Sequence, residues 1–330
     1  MKKRVAGLGE LLWDIMIPAD AEYENMAWEA ISPENKKAGG APANVVYYAS
    51  QFGNEAITVS AIGNDREGEA LRRRLEGEGI SFAGVQYDSR QTGKVYILKE
   101  RSGDYRYRIV EDTAWDHICF TERLGALAAG TDCAVFGTLA QRNEVSAETI
   151  RAFLHSMPET EGVYKLFDIN LRQHYYTKEI IETSLRICNV LKINHEELQV
   201  LSGVLPMETR LSAFSRKEGF GEKEMETYGK ACAELAERFR IDIIILTCAE
   251  KGNFTFSPEG FLYRPAAPVR NKEKGADAVG AGDAFTAAFI SAVMAGRSVW
   301  EAQCLASGIA AYVCSRQGAM HRLPRELLVL

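Results

Sequence analysis

Asp277-Ala-Val-Gly-Ala-Gly-Asp283 sets two carboxylates at the ends of a run of small residues. From Ala284 to Ala295 there is neither a charge nor a helix breaker, and Gly296 follows, so a buried helix is expected to begin at the glycines. Gly280, Ala281 and Gly282 would leave the first backbone N–H groups of that helix bare. Those donors, with the positive end of the helix dipole, form a site for an anion such as phosphate. Asp283 then stands beside the anion. At a helix start an aspartate is a cap; next to a phosphate it has a second use, taking a proton from an attacking hydroxyl.

Further groups suited to the same chemistry recur along the chain. Asp14 closes Glu10-Leu-Leu-Trp-Asp14, the expected continuation of a buried strand at Val5–Gly9. It reads either as a turn position or as a ligand for a polyol, since a carboxylate accepts two hydroxyl hydrogen bonds in fixed geometry. In Ala38-Gly-Gly-Ala-Pro-Ala-Asn44, the pair Gly39-Gly40 allows close backbone approach, and Pro42 suits the first turn of a helix ending at Gly53. Asn44 would face the same opening. Asp168-x-Asn170-x-Arg172 offers a guanidinium that either reaches a phosphate or a sugar, or pairs with Asp168. Asn194-x-x-Glu197 offers one carboxylate, enough to hold Mg²⁺ through a water because that ion keeps most of its own; otherwise Glu197 is a solvated charge in a helix's first turn.

These groups must be held by a scaffold, and the pattern names it. Strands are expected at 132–136, 163–168, 188–193 and 241–246, with helices near 146–156, 195–202 and 224–238, after an earlier strand at 57–62 and helix at 69–76. Alternation of this kind argues for a mostly parallel central sheet covered by helices on both faces, an α/β class in three layers. Ligands of such sheets bind beyond the carboxyl ends of the strands, where Gly137–Arg142, Asp168–Arg172, Asn194–Glu197 and Thr247–Gly252 fall. Residues 16–37 and 93–110, the latter a hairpin pattern turning at Arg101–Asp104, read as a small β-sheet lid outside the main layers. Residues 203–223 read as an exposed connection.

Bulk properties narrow the classes. A 46% hydrophobic, 25% charged chain of 330 residues suits one globular domain spanning 1–330, and the net charge of −6, with no basic run, argues against nucleic acid as a partner. Seven scattered cysteines without a C-x-x-C point to a reducing cytoplasm rather than to disulfides or zinc. Glu10 and Asp14 interrupt what would otherwise mimic a signal peptide, and no apolar run nears the ~20 residues of a membrane span. A dinucleotide oxidoreductase needs G-x-G-x-x-G after the first strand, but Gly7-Leu-Gly9 is followed by Leu12.

D-A-V-G-A-G-D-A-F at 277–285 resembles the C-terminal signature of the ribokinase/fructokinase-like (phosphofructokinase-B type) carbohydrate kinases, and G-G-x-x-x-N at 39–44 resembles their N-terminal one. Matching motifs run in the family's order from Gly9 to Ala319. The resemblance implies a ribokinase-like fold and transfer of the ATP γ-phosphoryl group to a sugar hydroxyl. It makes Asp283 the catalytic base, the amides of Gly280, Ala281 and Gly282 the anion hole, and Asp14, Gly39, Gly40, Asn44 and Arg172 the sugar site. Asn194 and Glu197 would position Mg²⁺ and phosphates. Thr247, Ala249 and Gly252 would back the nucleotide, with Ala249 replacing the first glycine of T-x-G-x-x-G. Asp277 and the Cys314–Ala319 segment would close a monovalent-cation (K⁺) site. Separately from the resemblance, a β-sheet lid exposes strand edges, through which lids are expected to pair into a homodimer. G-E-x-L-x-D at 9–14 and D-x-N-x-R at 168–172 lean toward the fructokinase branch, so fructokinase is the first expectation. 2-keto-3-deoxygluconate kinase, ribokinase and nucleoside kinase stand beside it. A catalytically inactive sugar- or nucleotide-binding protein of the same fold is the non-enzyme alternative.

Overall fold

The chain turns on Gly9. The first strand, β1 (Arg4–Leu8), ends there, with Gly9 at φ +138° and its N–H donated to the Val59 carbonyl (3.0 Å). A computed structural model describes residues 2–17, 27–99, 105–211 and 220–329. After the Gly9 turn the chain leaves the central sheet and enters a second one as β2 (Leu12–Ile17). The expectation that Glu10–Asp14 prolong the first strand is therefore corrected: φ near +140° is unavailable to an ordinary strand residue, and the direction changes. Next come β3 (Lys36–Gly39), α1 (Ala41–Gln51), β4 (Glu55–Gly63), α2 (Arg66–Glu76), β5 (Ser81–Asp88), β6 (Gly93–Lys99) and β7 (Tyr105–Ile109). The remainder alternates as α3 (Glu122–Ala129), β8 (Cys133–Phe136), α4 (Glu144–His155), β9 (Tyr164–Asp168), α5 (Lys178–Ile187), β10 (Val190–Asn194), α6 (His195–Val204) and α7 (Glu222–Phe239). It closes with β11 (Ile243–Thr247), β12 (Asn253–Ser257), β13 (Gly260–Arg264), α8 (Ala281–Met294) and α9 (Val299–Val313).

Among the described residues the central sheet runs β13-β12-β11-β10-β9-β8-β1-β4-β5. Its strands are parallel except for β12 and β13, which fold back antiparallel on β11. Two apolar clusters, one on each face, bury the strands: Phe136, Phe153 and Phe167 in the first, Tyr48, Phe285 and Phe289 in the second. This is the expected three-layer α/β/α arrangement. The order in which strands are added reverses at β1, with β4 and β5 on one side and β8 onward on the other. A crevice therefore opens at the carboxyl ends of β1 and β8, where such sheets take ligands.

The small sheet runs β3-β2-β6-β7, with β2 and β6 parallel and the other pairs antiparallel. The β6–β7 pairing matches the expected hairpin; its turn, Arg101–Asp104, and residues 18–26 lie outside the described residues. The expectation of an exposed connection over 203–223 needs correction where it is described. Leu205 is buried, Met207 and Phe220 pack on the core, and the Glu234 carboxylate holds the N–H groups of Glu208 and Thr209. Asp65 is a cap and a tether, accepting from Gly68 N–H (2.7 Å) and from both Thr92 donors (2.7 and 2.6 Å), just before β6 begins.

Arg142 fastens the far end of the small sheet to the body. It donates to both Asp116 carboxylate oxygens (2.7 and 2.8 Å) and to the Val110 carbonyl just past β7 (2.7 Å). Its guanidinium also covers the Trp115 ring. Both side chains of the ion pair are nearly buried, 7% and 2% exposed. Arg142→Met would strand Asp116, and we expect a loss of about 3 kcal/mol in chemical denaturation, most of it recovered in Arg142→Met/Asp116→Asn. A single variant less than about 1 kcal/mol below wild type would show that the pair carries no such weight.

Candidate active site

Each wall of the crevice is an element end. Gly40, at φ +111°, ends the β3 segment and caps α1; a Cβ there would lie 2.1 Å from the Glu10 carbonyl oxygen. At Gly39 it would lie 2.4 Å from the Asp14 carboxylate. The space that these glycines vacate is thus filled by the protein's own Glu10 and Asp14, where the sequence suggested approach by a ligand. Asp14, on β2, is brought by the small sheet to the mouth of the crevice.

Asn44 lies one turn into α1, 5% exposed, and its Nδ2 donates to Asp283 Oδ2 at 2.8 Å. Its Oδ1 has no hydrogen-bond partner among the described residues. Asp283 occupies the first turn of α8, whose cap is Gly280 in the left-handed region (φ +76°). Only a glycine fits there, because a Cβ would meet the Ala319 carbonyl oxygen at 2.6 Å. The Ala281 N–H donates to the Ala278 carbonyl (3.2 Å), which withdraws one donor from the expected anion hole. The N–H groups of Gly282 and Asp283 fall in the turn that has no intrahelical acceptor, and Gly282 is exposed.

On the opposite wall, Asp168 ends β9. It does not pair with Arg172. Its partner is Lys192 of β10, whose Nζ donates to Asp168 Oδ2 at 2.7 Å, because parallel pairing sets the two side by side. Arg172 is exposed, and its Nη1 donates to the Leu171 carbonyl (3.0 Å). Asn170 and Gln173, both left-handed (φ +41° and +48°), shape this loop around it. Glu197 is buried rather than solvated. Its two oxygens accept from Leu171 N–H (3.0 Å) and Asn194 N–H (2.9 Å), so it staples the β9 loop to the start of α6.

Beside it, Asn194 and Thr247 are register partners at the ends of β10 and β11. Ala249 does adopt a left-handed conformation (φ +50°), the geometry that favours glycine. At Gly252 (φ +106°) the bare side is occupied by the Arg264 carbonyl, 2.0 Å from where a Cβ would sit. Asp277 accepts from Gly318 N–H at both carboxylate oxygens (3.2 Å each) and from Val279 N–H at Oδ1 (3.0 Å), clasping the loop before α8 to residues after α9.

Crowding of carboxylates in a dry crevice shifts them. Burial, then Asp168, pushes Asp283 up to about 6 against the pull of Lys192, Asn44 and Arg172. Burial likewise lifts Glu10 to about 7, opposed by backbone N–H donors and by Arg172. It lifts Asp14 to about 7, with Arg172 opposing and Asp283 adding. Glu197 is raised by burial and by Asp168. Burial works against the Lys192 charge, but Asp168 outweighs it and the pKa is raised. Sequence reasoning missed Lys192 and gave Glu10 no role of its own; a charged residue amid the apolar run Val190–Ile193 was the available signal.

Carboxyls raised in the folded state bind protons that the unfolded chain has released. Their stabilisation is complete below the unfolded range near 4 and is lost as pH rises through 6–7. Ligand-free protein should therefore lose thermal stability between pH 5 and 8, and the fall should be shallower in Asp14→Asn/Asp283→Asn. Equal slopes in the two proteins would show that these carboxyls are not held protonated by the fold.

The family model described as pfkB family carbohydrate kinase matches residues 4–326. Fructokinase of Salmonella typhimurium is 24% identical over 300 residues, 87% of this chain and 89% of that protein. Nucleoside kinase of Methanothermobacter thermautotrophicus is 22% identical over 318 residues, 96% and 91% of the two chains. Among solved structures, fructokinase with bound ATP from Xylella fastidiosa superposes with a TM-score of 0.75 at 19% identity, covering 97% of this chain and 94% of that one. Ribokinase from Thermotoga maritima gives 0.73 at 23% identity, covering 99% and 98%, so the fold is ribokinase-like. With its helix-start carboxylate, bare first turn and family-wide match, the chain belongs to the pfkB family of carbohydrate kinases.

Proposed function

We propose that this kinase transfers the γ-phosphoryl group of ATP to a hydroxyl of fructose. The observation that carries the reading is Asp283, fixed by Asn44 at 2.8 Å in the same helical turn as the exposed Gly282. A sugar hydroxyl donating to Asp283 would lie next to a phosphoryl group resting on the N–H groups of Gly282 and Asp283. As the hydroxyl oxygen bonds to the γ-phosphorus, the bond from that phosphorus to the β,γ-bridging oxygen breaks and ADP leaves; the hydroxyl proton passes to Asp283, while the first turn of α8 faces the charge that develops on the phosphoryl oxygens. Asp14 and Arg172 hold the remaining hydroxyls. Most of the catalysis is then positioning and electrostatics.

Mg²⁺ supplies neutralisation of the phosphate charge when bound. Glu197, oriented by two backbone donors, keeps a lone pair on each oxygen for a metal-bound water, and Asn194 and Thr247 stand next to it where the nucleotide phosphates would pass. Asp277 Oδ2 accepts one hydrogen bond and keeps a lone pair suited to K⁺. Fructose is supported by the 9–14 and 168–172 motifs and by the fructokinases among the relatives. A second reading, a sugar acid such as 2-keto-3-deoxygluconate, is favoured by the exposed Arg172 guanidinium, which suits a carboxylate. ATP consumption across a sugar panel, with and without K⁺, separates these readings. No sugar-dependent consumption would leave a binding protein of the same fold.

Asp283→Asn keeps the size and the Asn44 neighbour, and leaves the Gly280 cap untouched, but cannot accept a proton. We expect kcat to fall by at least ~10²-fold while ATP still binds. In the wild type, kcat should fall as pH drops through about 6, because protonation removes the base. An Asp283→Asn variant that folds normally and keeps more than about a tenth of kcat would defeat the mechanism.

The small sheet is the lid in this proposal. Sugar binding should slow hydrogen exchange in β2–β3 and β6–β7 together. Protection of one pair alone would mean that the sheet does not close as a unit.

A further inference from the structure

Lys192 has no task in the reaction as set out above, yet it is built into the floor of the site. It lies in a strand where Val190, Leu191 and Ile193 are fully buried, and its side chain is 11% exposed against 8% for Asp168. A buried ion pair that merely filled the core would be no better than two apolar residues of the same volume. This pair is placed under the first turn of α8 instead. Lys192 Nζ lies 3.4 Å from where a Gly282 Cβ would stand. Thr286, one turn further on, bonds the Gly282 carbonyl (3.0 Å) and reaches Asp168 Oδ2 (3.5 Å). The charge of the ammonium is felt at Asp283 and Glu197 as well as at Asp168.

We propose that Lys192 is a positioning residue of the phosphoryl-transfer site, its buried ammonium setting the charge balance between Asp283 and the bare N–H groups of Gly282 and Asp283. The inference rests on the reading of Asp283 as the base. An ammonium behind Gly282 reinforces the helix dipole where negative charge develops in the transition state. It also favours the ionised form of Asp283, which Asp168 opposes. The groups facing Asp283 are Asp168, Lys192, Arg172 and Asn44, with Glu10, Asp14 and Tyr48 across the crevice. Those facing Lys192 are Asp168, Asp283 and Glu197.

The signs of the two charges give the test. Full-length Asp168→Asn and Lys192→Met are compared with wild type in kcat against pH, with Asp283→Asn in parallel. Removal of Asp168 leaves the ammonium, so the acid limb should move down by about half a pH unit. Removal of the ammonium should move it up by a similar amount and lower the plateau kcat at least ~10-fold, with the KM values for ATP and sugar within about threefold. A pair that serves only the fold would lose stability in both variants without opposite shifts, so limbs that stay in place or move the same way overturn the proposal. If Lys192→Met does not fold, Asp168→Asn decides alone, and an unmoved limb overturns it. An active Asp283→Asn removes the base and this inference together; an inactive one with unmoved limbs removes only the role of Lys192.

Discussion

Like charge in a dry crevice is the constraint on which this structure depends. Glu10, Asp14, Asp168, Glu197 and Asp283 converge on the carboxyl ends of β1, β9 and β10, where water is scarce and repulsion is weakly screened. Each is handled differently. Asp168 receives a lysine, Glu197 two backbone donors, Asp283 the amide of Asn44, and Glu10 and Asp14 are pushed toward the neutral form. The division matters because a carboxylate with its lone pairs already taken is a poor base, whereas one held by a single amide keeps capacity for a ligand.

The same economy appears in the backbone. α8 is apolar around most of its circumference, with Phe285, Phe289 and Ile290 buried, so tertiary packing fixes its axis. Its start is fixed from outside by the close approach of Gly280 to Ala319 and by the Asp277 clasp on Gly318. The helix terminus expected to face the anion is therefore tied to Gly318 and Ala319, in the loop that follows α9.

Much of this was legible in the sequence. The glycine-rich start of α8 with its apolar run, and the strand–helix alternation after residue 130, follow from local punctuation and period, and strand ends then fall where ligands are expected. What was not legible depends on partners distant in the chain. Asn44 was expected to face a sugar, but its amide is spent on a residue 239 positions away. The Arg172–Asp168 alternative failed because parallel register, which no local pattern reveals, supplies Asp168 with Lys192. The break at Gly9 was hidden by the apolar continuity of Leu8 with Leu11 and Leu12. The antiparallel β12–β13 hairpin was missed although Pro258-Glu-Gly260 marks its turn.

The path of the chain at Gly9 has one more consequence. By sending Asp14 into the small sheet, it puts Asp14 and Asp283 on separate bodies, joined by the short link through Glu10 and by the glycines before α1. A molecule large enough to touch both carboxyls bridges the two sheets; a water molecule can meet one at a time. On the proposed roles of Asp14 and Asp283, discrimination against hydrolysis would be a matter of span rather than of affinity, because a small nucleophile at Asp283 would do nothing to hold Asp14 in register with it.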